Sequence, residues 1–168
     1  MMMRFISLLL FIMLQASDAF AENNALGIGD IAPNFTISRL DGSQFNLADF
    51  KGTKPVYLIF WNTWCGYCIK KVPKINELQR KLSNQIEILA INTSWDDDLT
   101  AIGVFQKQHQ TDYPMAFDAN ADITKRYDVW GAPTEFIIDI NGVVRHRDNI
   151  PEILSMHLKK WQCKKETC

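Results

Sequence analysis

The sequence predicts a single α/β domain with a mixed central sheet and helices on both faces. Two continuous apolar runs, residues 55–61 and 86–92, have the length and composition of strands that are buried on both faces. Between them, residues 63–82 carry apolar side chains at helical spacing, which makes a strand–helix–strand unit. Asn141 and Gly142 join two later apolar runs as a hairpin turn. The chain has 168 residues, 47% of them hydrophobic, and no long linker, so we expect one core.

The remaining elements follow from the same patterns. Residues 35–40 and 44–47 alternate apolar and polar side chains around Asp41 and Gly42, which predicts an N-terminal β-hairpin. Pro73 lies inside the first predicted helix and should kink it. The other predicted elements are a helix that starts at the acidic residues 96–98, a short strand at 115–117, a short helix at 123–127, hairpin strands at 135–139 and 143–146, and a terminal helix with Ile153, Leu154, Leu158 and Trp161 on one face.

The N-terminus and the charge balance indicate an exported protein. Arg4 precedes an apolar run at residues 5–14, and Ala19 and Ala21 supply the small residues of a cleavage site, which is the order of a secretory signal peptide. A bilayer span needs about 20 apolar residues, so we expect cleavage rather than stable membrane insertion. A formal net charge of −1 argues against nucleic acid as a partner. The expected organisation is a signal peptide at 1–21, a domain at 22–162 and a tail at 163–168, in a bacterial periplasm.

All four cysteines lie after the predicted cleavage site, in two close pairs. Cys65 and Cys68 form a C-x-x-C motif, and Cys163 and Cys168 stand five positions apart at the end of the chain. Local pairing is the favoured interpretation of the three pairings that four thiols allow. A zinc site is disfavoured because the second pair is too loosely spaced for a tight knuckle. For the tail pair we expect a structural disulfide, with a second redox relay or an intermolecular link as alternatives.

The C-x-x-C motif lies between a buried strand and a helix. A thiol at the start of a helix meets unpaired backbone N–H groups and the positive end of the helix dipole. Both lower the pKa of the thiol, so we expect Cys65 to be the attacking thiolate. Cys68, one turn into the helix, should be more buried and should resolve the mixed disulfide on Cys65. A structural disulfide or a metal clip is the alternative interpretation.

Three segments carry a resemblance to a known family. They are residues 28–52 (IGDIAPNFTISRLDGSQFNLADFKG), residues 60–68 (FWNTWCGYC) and residues 126–147 (RYDVWGAPTEFIIDINGVVRHR). Together they resemble the exported TlpA, ResA and CcmG/DsbE branch of the thioredoxin superfamily. The resemblance implies a thioredoxin-like fold and a thiol–disulfide oxidoreductase. It also implies protein clients, a membrane-bound redox partner of the DsbD/CcdA or DsbB kind, a monomer, and no metal or other cofactor.

The resemblance also assigns a substrate groove. Pro133 corresponds to the cis-proline that faces the dithiol in this family, and the backbone at Ala132 can then pair with an extended client segment. Trp64 and Trp130 should flank the groove as exposed aromatic side chains, although half-buried positions in the core are an equal alternative for Trp64. Gly66 and Tyr67, inside the C-x-x-C motif, complete the predicted groove.

Departures from the family pattern leave the direction of electron flow open. The branch carries a glutamate three residues after its second cysteine, where this chain has Lys71; thioredoxin carries a buried aspartate where this chain has Ile59. Lys70 and Lys71 would favour the Cys65 thiolate if they point toward it, which makes the disulfide a stronger oxidant. Glu135 is the remaining carboxylate candidate, and its face of the strand is open. A reductase is slightly favoured over an oxidase or isomerase.

Three other classes of protein are alternatives to this interpretation. A peroxiredoxin needs P-x-x-x-T-x-x-C, and those positions are Leu58 and Asn62. A copper chaperone needs three residues between its cysteines. A non-catalytic thioredoxin-like binding module is the alternative of a different class, and the intact dithiol argues against it. CcmG-like proteins carry glutamate directly after the proline, so Thr134 argues against a dedicated role in cytochrome c maturation.

Overall fold

The computed structural model describes residues 25–148 and 150–163. The predicted signal peptide at 1–21 and Cys168 lie outside these residues. The elements, in chain order, are β1 (Thr36–Ser38), β2 (Gln44–Asn46), a 3₁₀ turn (Leu47–Phe50), β3 (Val56–Trp61), α1 (Gly66–Leu82), β4 (Glu87–Asn92), α2 (Leu99–His109), β5 (Met115–Phe117), α3 (Asp122–Arg126), β6 (Thr134–Ile138), β7 (Val144–Arg147) and α4 (Ser155–Trp161). Every strand and helix predicted from the sequence is confirmed within one to three residues at most boundaries.

The main sheet has five strands in the order β5-β4-β3-β6-β7. Strand β3 pairs in parallel with β4 and antiparallel with β6, so the sheet is mixed as predicted. All six residues of β3 are buried, which explains why its sequence is a continuous apolar run rather than an alternating one. Strands β1 and β2 form a separate antiparallel pair, the predicted N-terminal hairpin.

The two faces of the sheet bury two different clusters. Tyr57, Ile59 and Trp61 of β3 face the cluster that contains the buried side chains of α1, α2 and α4. Their neighbours Leu58 and Phe60 face the cluster formed with the N-terminal hairpin and α3. Side chains alternate between faces along a strand, so every odd-numbered residue of β3 points toward the active-site helix α1.

The N-terminal segment borders both edges of the main sheet. On one side, the N–H of Leu40 donates to the carbonyl of Met115 at 2.8 Å, next to β5. On the other side, the N–H of Gly29 donates to the carbonyl of Val144 at 2.9 Å, and the N–H of Val144 donates to Asp30 at 2.9 Å. Residues 29–40 therefore hydrogen-bond to both outer strands.

Three loops meet at one end of the strands of the main sheet. Parallel strands β3 and β4 end there, and antiparallel β6 begins there. These loops are residues 62–65 after β3, residues 93–98 after β4 and residues 130–133 before β6. Ligand and catalytic sites of open α/β sheets lie at the carboxyl ends of their parallel strands. Both cysteines of the C-x-x-C motif lie at this end of the sheet.

Two helix ends differ from the sequence prediction. Helix α1 begins at Gly66 because Cys65 has an extended conformation (φ −78°, ψ 103°) and serves as its N-cap. Helix α4 begins at Ser155, so Ile153 lies outside the helix and is exposed, while Leu154, Leu158 and Trp161 are buried as expected. Among the described residues, no helix has the length and apolar character of a bilayer span.

Candidate active site

Cys65 and Cys68 are joined by a disulfide, with their Cα atoms 5.2 Å apart. Cys65 caps α1, and its sulfur accepts a hydrogen bond from the backbone N–H of Cys68 at 3.1 Å. Hydrogen bonds from backbone N–H groups and the helix dipole both favour negative charge on this sulfur. The site is thus built to stabilise a thiolate on Cys65 when the disulfide is reduced.

The predicted difference in exposure between the two cysteines is not found. Cys65 is 4% exposed and Cys68 is 5% exposed. The carbonyl oxygen of Ala132 lies 3.3 Å from the Cys65 sulfur, so the segment before β6 covers the first cysteine in this oxidised state. A contact between residues 67 positions apart is invisible to local sequence patterns.

The Ala132–Pro133 peptide bond is cis, as the family resemblance implied. The hydroxyl of Thr134 donates to the carbonyl of Gly131 at 2.8 Å and closes the turn around this bond. Thr134 points away from the active-site helix, and its neighbour Glu135 points toward it.

Three exposed aromatic side chains surround the dithiol. Trp64 is 57% exposed, Tyr67 is 73% exposed and Trp130 is 85% exposed. The indole N–H of Trp64 donates to the carbonyl of Trp95 at 2.9 Å, and that of Trp130 donates to Asp128 at 2.5 Å. With their N–H groups satisfied inside the protein, both rings present apolar surface to solvent, as a docking surface for another chain requires.

Lys70 contacts this aromatic surface. Its ammonium lies 5.3 Å from the centre of the Tyr67 ring, a cation–π distance. Gly66, the other residue inside the C-x-x-C motif, is exposed and places no side chain over the disulfide. A Cβ at this position would meet no atom within 4 Å, so the space beside it is open.

Lys71 belongs to a buried ionic cluster. Its ammonium forms an ion pair with the carboxylate of Glu135, which is 2% exposed, and the hydroxyl of Tyr57 donates to the same carboxylate. Glu135 is the direct partner of Ile59 in the β3–β6 ladder, so both side chains point toward α1. The register therefore places the Glu135 carboxylate on the face of β6 that points toward α1.

Tyr57 stays protonated in this cluster. Burial raises the pKa of its hydroxyl well above the usual range, and the negative charge of Glu135 raises it further. A neutral phenol can donate to the carboxylate at every physiological pH. Nothing in the sequence singled out Tyr57, since it is one apolar position among many in β3; the ladder register is the signal that connects it to Glu135.

A small cavity lies beside Cys68. Its lining includes Cys68, Lys71, Trp61 and Pro133, and it leaves about 10 Å³ for the centre of a water molecule, close to the size that one water needs. The indole N–H of Trp61 is buried and has no partner among the described residues. Lys71 also lines a second, open pocket of about 380 Å³. Lys71 thus borders both the open pocket and the cavity beside the second cysteine.

A model of the AhpC/TSA family matches residues 28–147. The chain belongs to the AhpC/TSA family. The thiol-disulfide oxidoreductase ResA of Bacillus cereus (strain ATCC 10987 / NRS 248) is 39% identical over 145 residues, which is 84% of this chain and 82% of that protein. The confirmed class is therefore that of ResA-like thiol–disulfide oxidoreductases.

Solved structures agree with this class. A candidate thiol:disulfide interchange protein DsbE from Chlorobium tepidum is 30% identical, with a TM-score of 0.69 over 82% of this chain and 99% of that one. A secreted Mycobacterium tuberculosis disulfide oxidoreductase homologous to E. coli DsbE is 25% identical, with a TM-score of 0.62 over 75% of this chain and 95% of that one. The thioredoxin-like fold is confirmed, and membership in this class implies protein thiols as clients.

The ion pair places a carboxylate on the side of the sheet that faces α1. Lys71 stands on α1, and Glu135 lies on β6 opposite Ile59 of β3. The sequence left the face of Glu135 open, and the register of β3 and β6 decides it. Lys71 was expected to favour the Cys65 thiolate only if it pointed toward that sulfur; instead its ammonium pairs with Glu135, which compensates its charge.

The predicted tail disulfide includes Cys168, which lies outside the described residues. Cys163 is not a free thiol, and its carbonyl accepts a hydrogen bond from the Asn141 side chain at 3.0 Å. This contact ties the end of α4 to the β6–β7 turn. Within residues 25–148 and 150–163, no group of three metal-ligating side chains is present.

Proposed function

We propose that Cys65 and Cys68 exchange disulfides with protein clients, with Cys65 as the nucleophile and Cys68 as the resolving thiol. The observation that carries this assignment is the N–H of Cys68 directed at the Cys65 sulfur from the first turn of α1. This hydrogen bond stabilises a thiolate on Cys65. The Ala132 carbonyl beside that sulfur marks the backbone with which an extended client segment pairs.

The proposed exchange takes place in two steps. The Cys65 thiolate attacks one sulfur of a client disulfide, the Cys65–client bond forms, and the other client sulfur leaves as a thiolate. Cys68 then loses its proton and attacks the Cys65 sulfur, which releases the second client sulfur and forms the Cys65–Cys68 disulfide. Two electrons have passed to the client, so a second dithiol partner must reduce the disulfide before the next cycle.

Glu135 receives the proton that Cys68 loses. Cys68 and Lys71 border the same cavity, and Lys71 links that cavity to the Glu135 carboxylate. The cavity accommodates about one water, which can take the Cys68 proton and pass it to Lys71 as the Lys71 ammonium gives a proton to Glu135. Lys71 and Tyr57 hold the carboxylate in place through an ion pair and a hydrogen bond.

The favoured direction is client reduction in a bacterial periplasm, with a membrane-bound DsbD/CcdA-like partner as electron donor. The argument for an oxidase relied on a free Lys71 charge that stabilises thiolate; Glu135 compensates that charge, which weakens the argument. The signal-like segment at 1–21 supports export. Groove residues Trp64, Tyr67, Trp130 and Ala132 receive the client.

The roles of the two cysteines can be tested by trapping. Cys68→Ser should accumulate a mixed disulfide between Cys65 and its client, since nothing resolves the first step, and Cys65→Ser should abolish exchange. Mass spectrometry of the trapped species identifies the linked cysteine and the client. Accumulation on Cys68 in the Cys65→Ser variant, with none in Cys68→Ser, would contradict the assignment.

The direction of electron flow requires a separate measurement in cells. Thiol trapping of the wild-type protein in its own periplasm should find Cys65 and Cys68 mostly reduced. Deleting the membrane electron donor should then convert them to the disulfide. A dithiol that is mostly oxidised with the donor present would identify a DsbB-dependent oxidase instead.

A further inference from the structure

The loop after β4 contacts the turn that leads into the dithiol. In this loop, the carboxylate of Asp97 accepts from the backbone N–H of Thr63 at 2.7 Å, from the Thr63 hydroxyl, and from the side-chain amides of Asn92 at 2.8 Å and Asn62 at 3.3 Å. Hydrogen bonds to a carboxylate are stronger than bonds between neutral groups. One carboxylate thus gathers groups from the ends of both parallel strands.

Other groups of the same loop hold the same turn. The carbonyl of Trp95 accepts from the indole N–H of Trp64 at 2.9 Å and from the Asn62 amide at 3.2 Å. The hydroxyl of Thr93 donates to the Asn62 side-chain oxygen at 2.9 Å. Each of the three residues that precede Cys65 is therefore bonded to the loop at 93–97.

The turn transmits this constraint to Cys65 through the backbone. The carbonyl of Asn62 accepts from the N–H of Cys65 at 3.2 Å, which sets where the cap residue of α1 lies. Asn62 itself is fully buried, so its amide has little freedom once its partners are fixed. The Cys65 sulfur meets the Cys68 N–H at 3.1 Å only while this turn keeps its shape.

We infer that Asp97 is a positioning residue for the nucleophile. It acts through Asn62 and Thr63 on the backbone that carries Cys65, and it does not touch the sulfur. This inference rests on the proposed function, in which Cys65 is the attacking thiol. Its consequence is that loss of the Asp97 carboxylate lets Cys65 drift from the Cys68 N–H, which removes a hydrogen bond that stabilises the thiolate.

The neighbouring residue Asp98 is a matched control. Its carboxylate accepts from the N–H of Ala101 at 2.7 Å as the N-cap of α2, and among the described residues it makes no hydrogen bond to the turn at 62–65. Asp98→Asn removes the same charge from the next position in the chain, and asparagine is as good an N-cap as aspartate. The pair of variants separates position from charge.

The experiment measures the pKa of Cys65 in the reduced protein, from the ultraviolet absorbance of its thiolate. Asp97→Asn should raise this pKa by about one unit, which is about tenfold less thiolate on the acid side of the pKa, and should slow client capture in proportion. Asp98→Asn should neither raise the pKa nor slow capture. Removal of a negative charge alone would lower the pKa of the thiol, so an unchanged or lowered value in Asp97→Asn overturns the inference.

Thr63→Val keeps the test decisive if Asp97→Asn fails to fold. It removes one hydroxyl donor to the carboxylate and retains the backbone N–H bond, so the pKa of Cys65 should rise in the same direction by less. No rise would overturn the inference. Exchange that survives in Cys65→Ser would instead overturn the proposed function, independently of either variant.

Discussion

The two sulfur atoms of the dithiol lie in different surroundings. Cys65 meets backbone groups, the N–H of Cys68 and the carbonyl of Ala132. Cys68 borders a cavity lined by side chains, among them Lys71. Lys71 forms an ion pair with the buried carboxylate of Glu135. The Cys65 sulfur contacts backbone groups, which the turn at 62–64 holds in place, whereas the Cys68 sulfur lies among side chains. The first step of exchange thus depends on the shape of that turn, and the second on the side chains beside Cys68.

The largest expected effect comes from removing the proton acceptor on the Cys68 side. Glu135→Gln keeps the size of the side chain and loses its charge, and general bases contribute at least about 100-fold to rates. Resolution of the mixed disulfide should therefore slow about 100-fold. Capture by Cys65, measured in a Cys68→Ser background, should stay within about twofold, because Cys65 relies on backbone groups.

Rapid-quench kinetics with a disulfide-bonded client separates the two steps. Glu77→Gln is the matched control, because it removes the same charge from an exposed position of α1. Equal slowing of capture and resolution in Glu135→Gln would remove the distinction between the two sulfurs.

An intermediate effect is expected on stability from Lys71→Met. The substitution leaves Glu135, which is 2% exposed, without its cation. Breaking a fully buried pair costs about 3–5 kcal/mol, and because the Lys71 side chain is 41% exposed we expect about 2 kcal/mol here. Urea unfolding measures the loss in the free energy of unfolding.

Lys74→Met is the control, because Lys74 lies one turn after Lys71 on α1. It tests whether the loss of stability comes from the Glu135 ion pair beside Cys68. Lys74 pairs with Glu77 at 3.7 Å, and both side chains are about half exposed, so the loss should be well below that of Lys71→Met. Similar losses in the two lysine variants would mean that the Glu135 ion pair contributes nothing special.

The smallest expected effect concerns alkaline pH. Burial raises the pKa of Tyr57 above its unfolded value of about 10, so its contribution to stability is complete below about pH 10 and is lost as pH rises above it. The unfolded chain alone releases the proton there. Relative to Tyr57→Phe, the wild-type protein should lose under about 1 kcal/mol between roughly pH 9 and 10.5.

Urea unfolding at several pH values gives this difference, and Tyr67→Phe is the control at an exposed tyrosine of the same site. Parallel pH profiles for wild type and Tyr57→Phe would show that the Tyr57 hydroxyl ionises equally in both states. The neutral phenol beside Glu135 would then be excluded.

The fold was predictable because local periodicity reports burial. The run that became β3 is apolar at every position since both of its faces are covered, and Gly142 has the positive φ (79°) that its hairpin turn needs. The dithiol was predictable from its C-x-x-C motif, and the cis-proline from the family resemblance of the segment around it. The strands, the turn and the dithiol share causes that lie within a few residues along the chain.

The rest of the site depends on contacts that sequence does not display. Three consecutive aspartates look like one acidic helix start, yet Asp98 caps α2 while Asp97 turns toward Thr63, 34 positions away. The orientation of Glu135 follows from its pairing with Ile59 across the ladder. Burial of Cys65 follows from the Ala132 carbonyl. Register and loop docking decide all three, and neither is a local property.

The N-terminal segment that hydrogen-bonds to both outer strands has a consequence for self-association. Unpaired strand edges are templates on which a second chain can add, and proteins that leave them open tend to aggregate. Here Leu40 occupies a donor position beside β5, while Gly29 and Asp30 pair with Val144 of β7. A chain is synthesised from its N-terminus, so residues 29–40 are available before either outer strand has been made. Residues 29–40 can therefore cover the two outer strands as soon as these strands form, when an unpaired strand edge is most prone to aggregation.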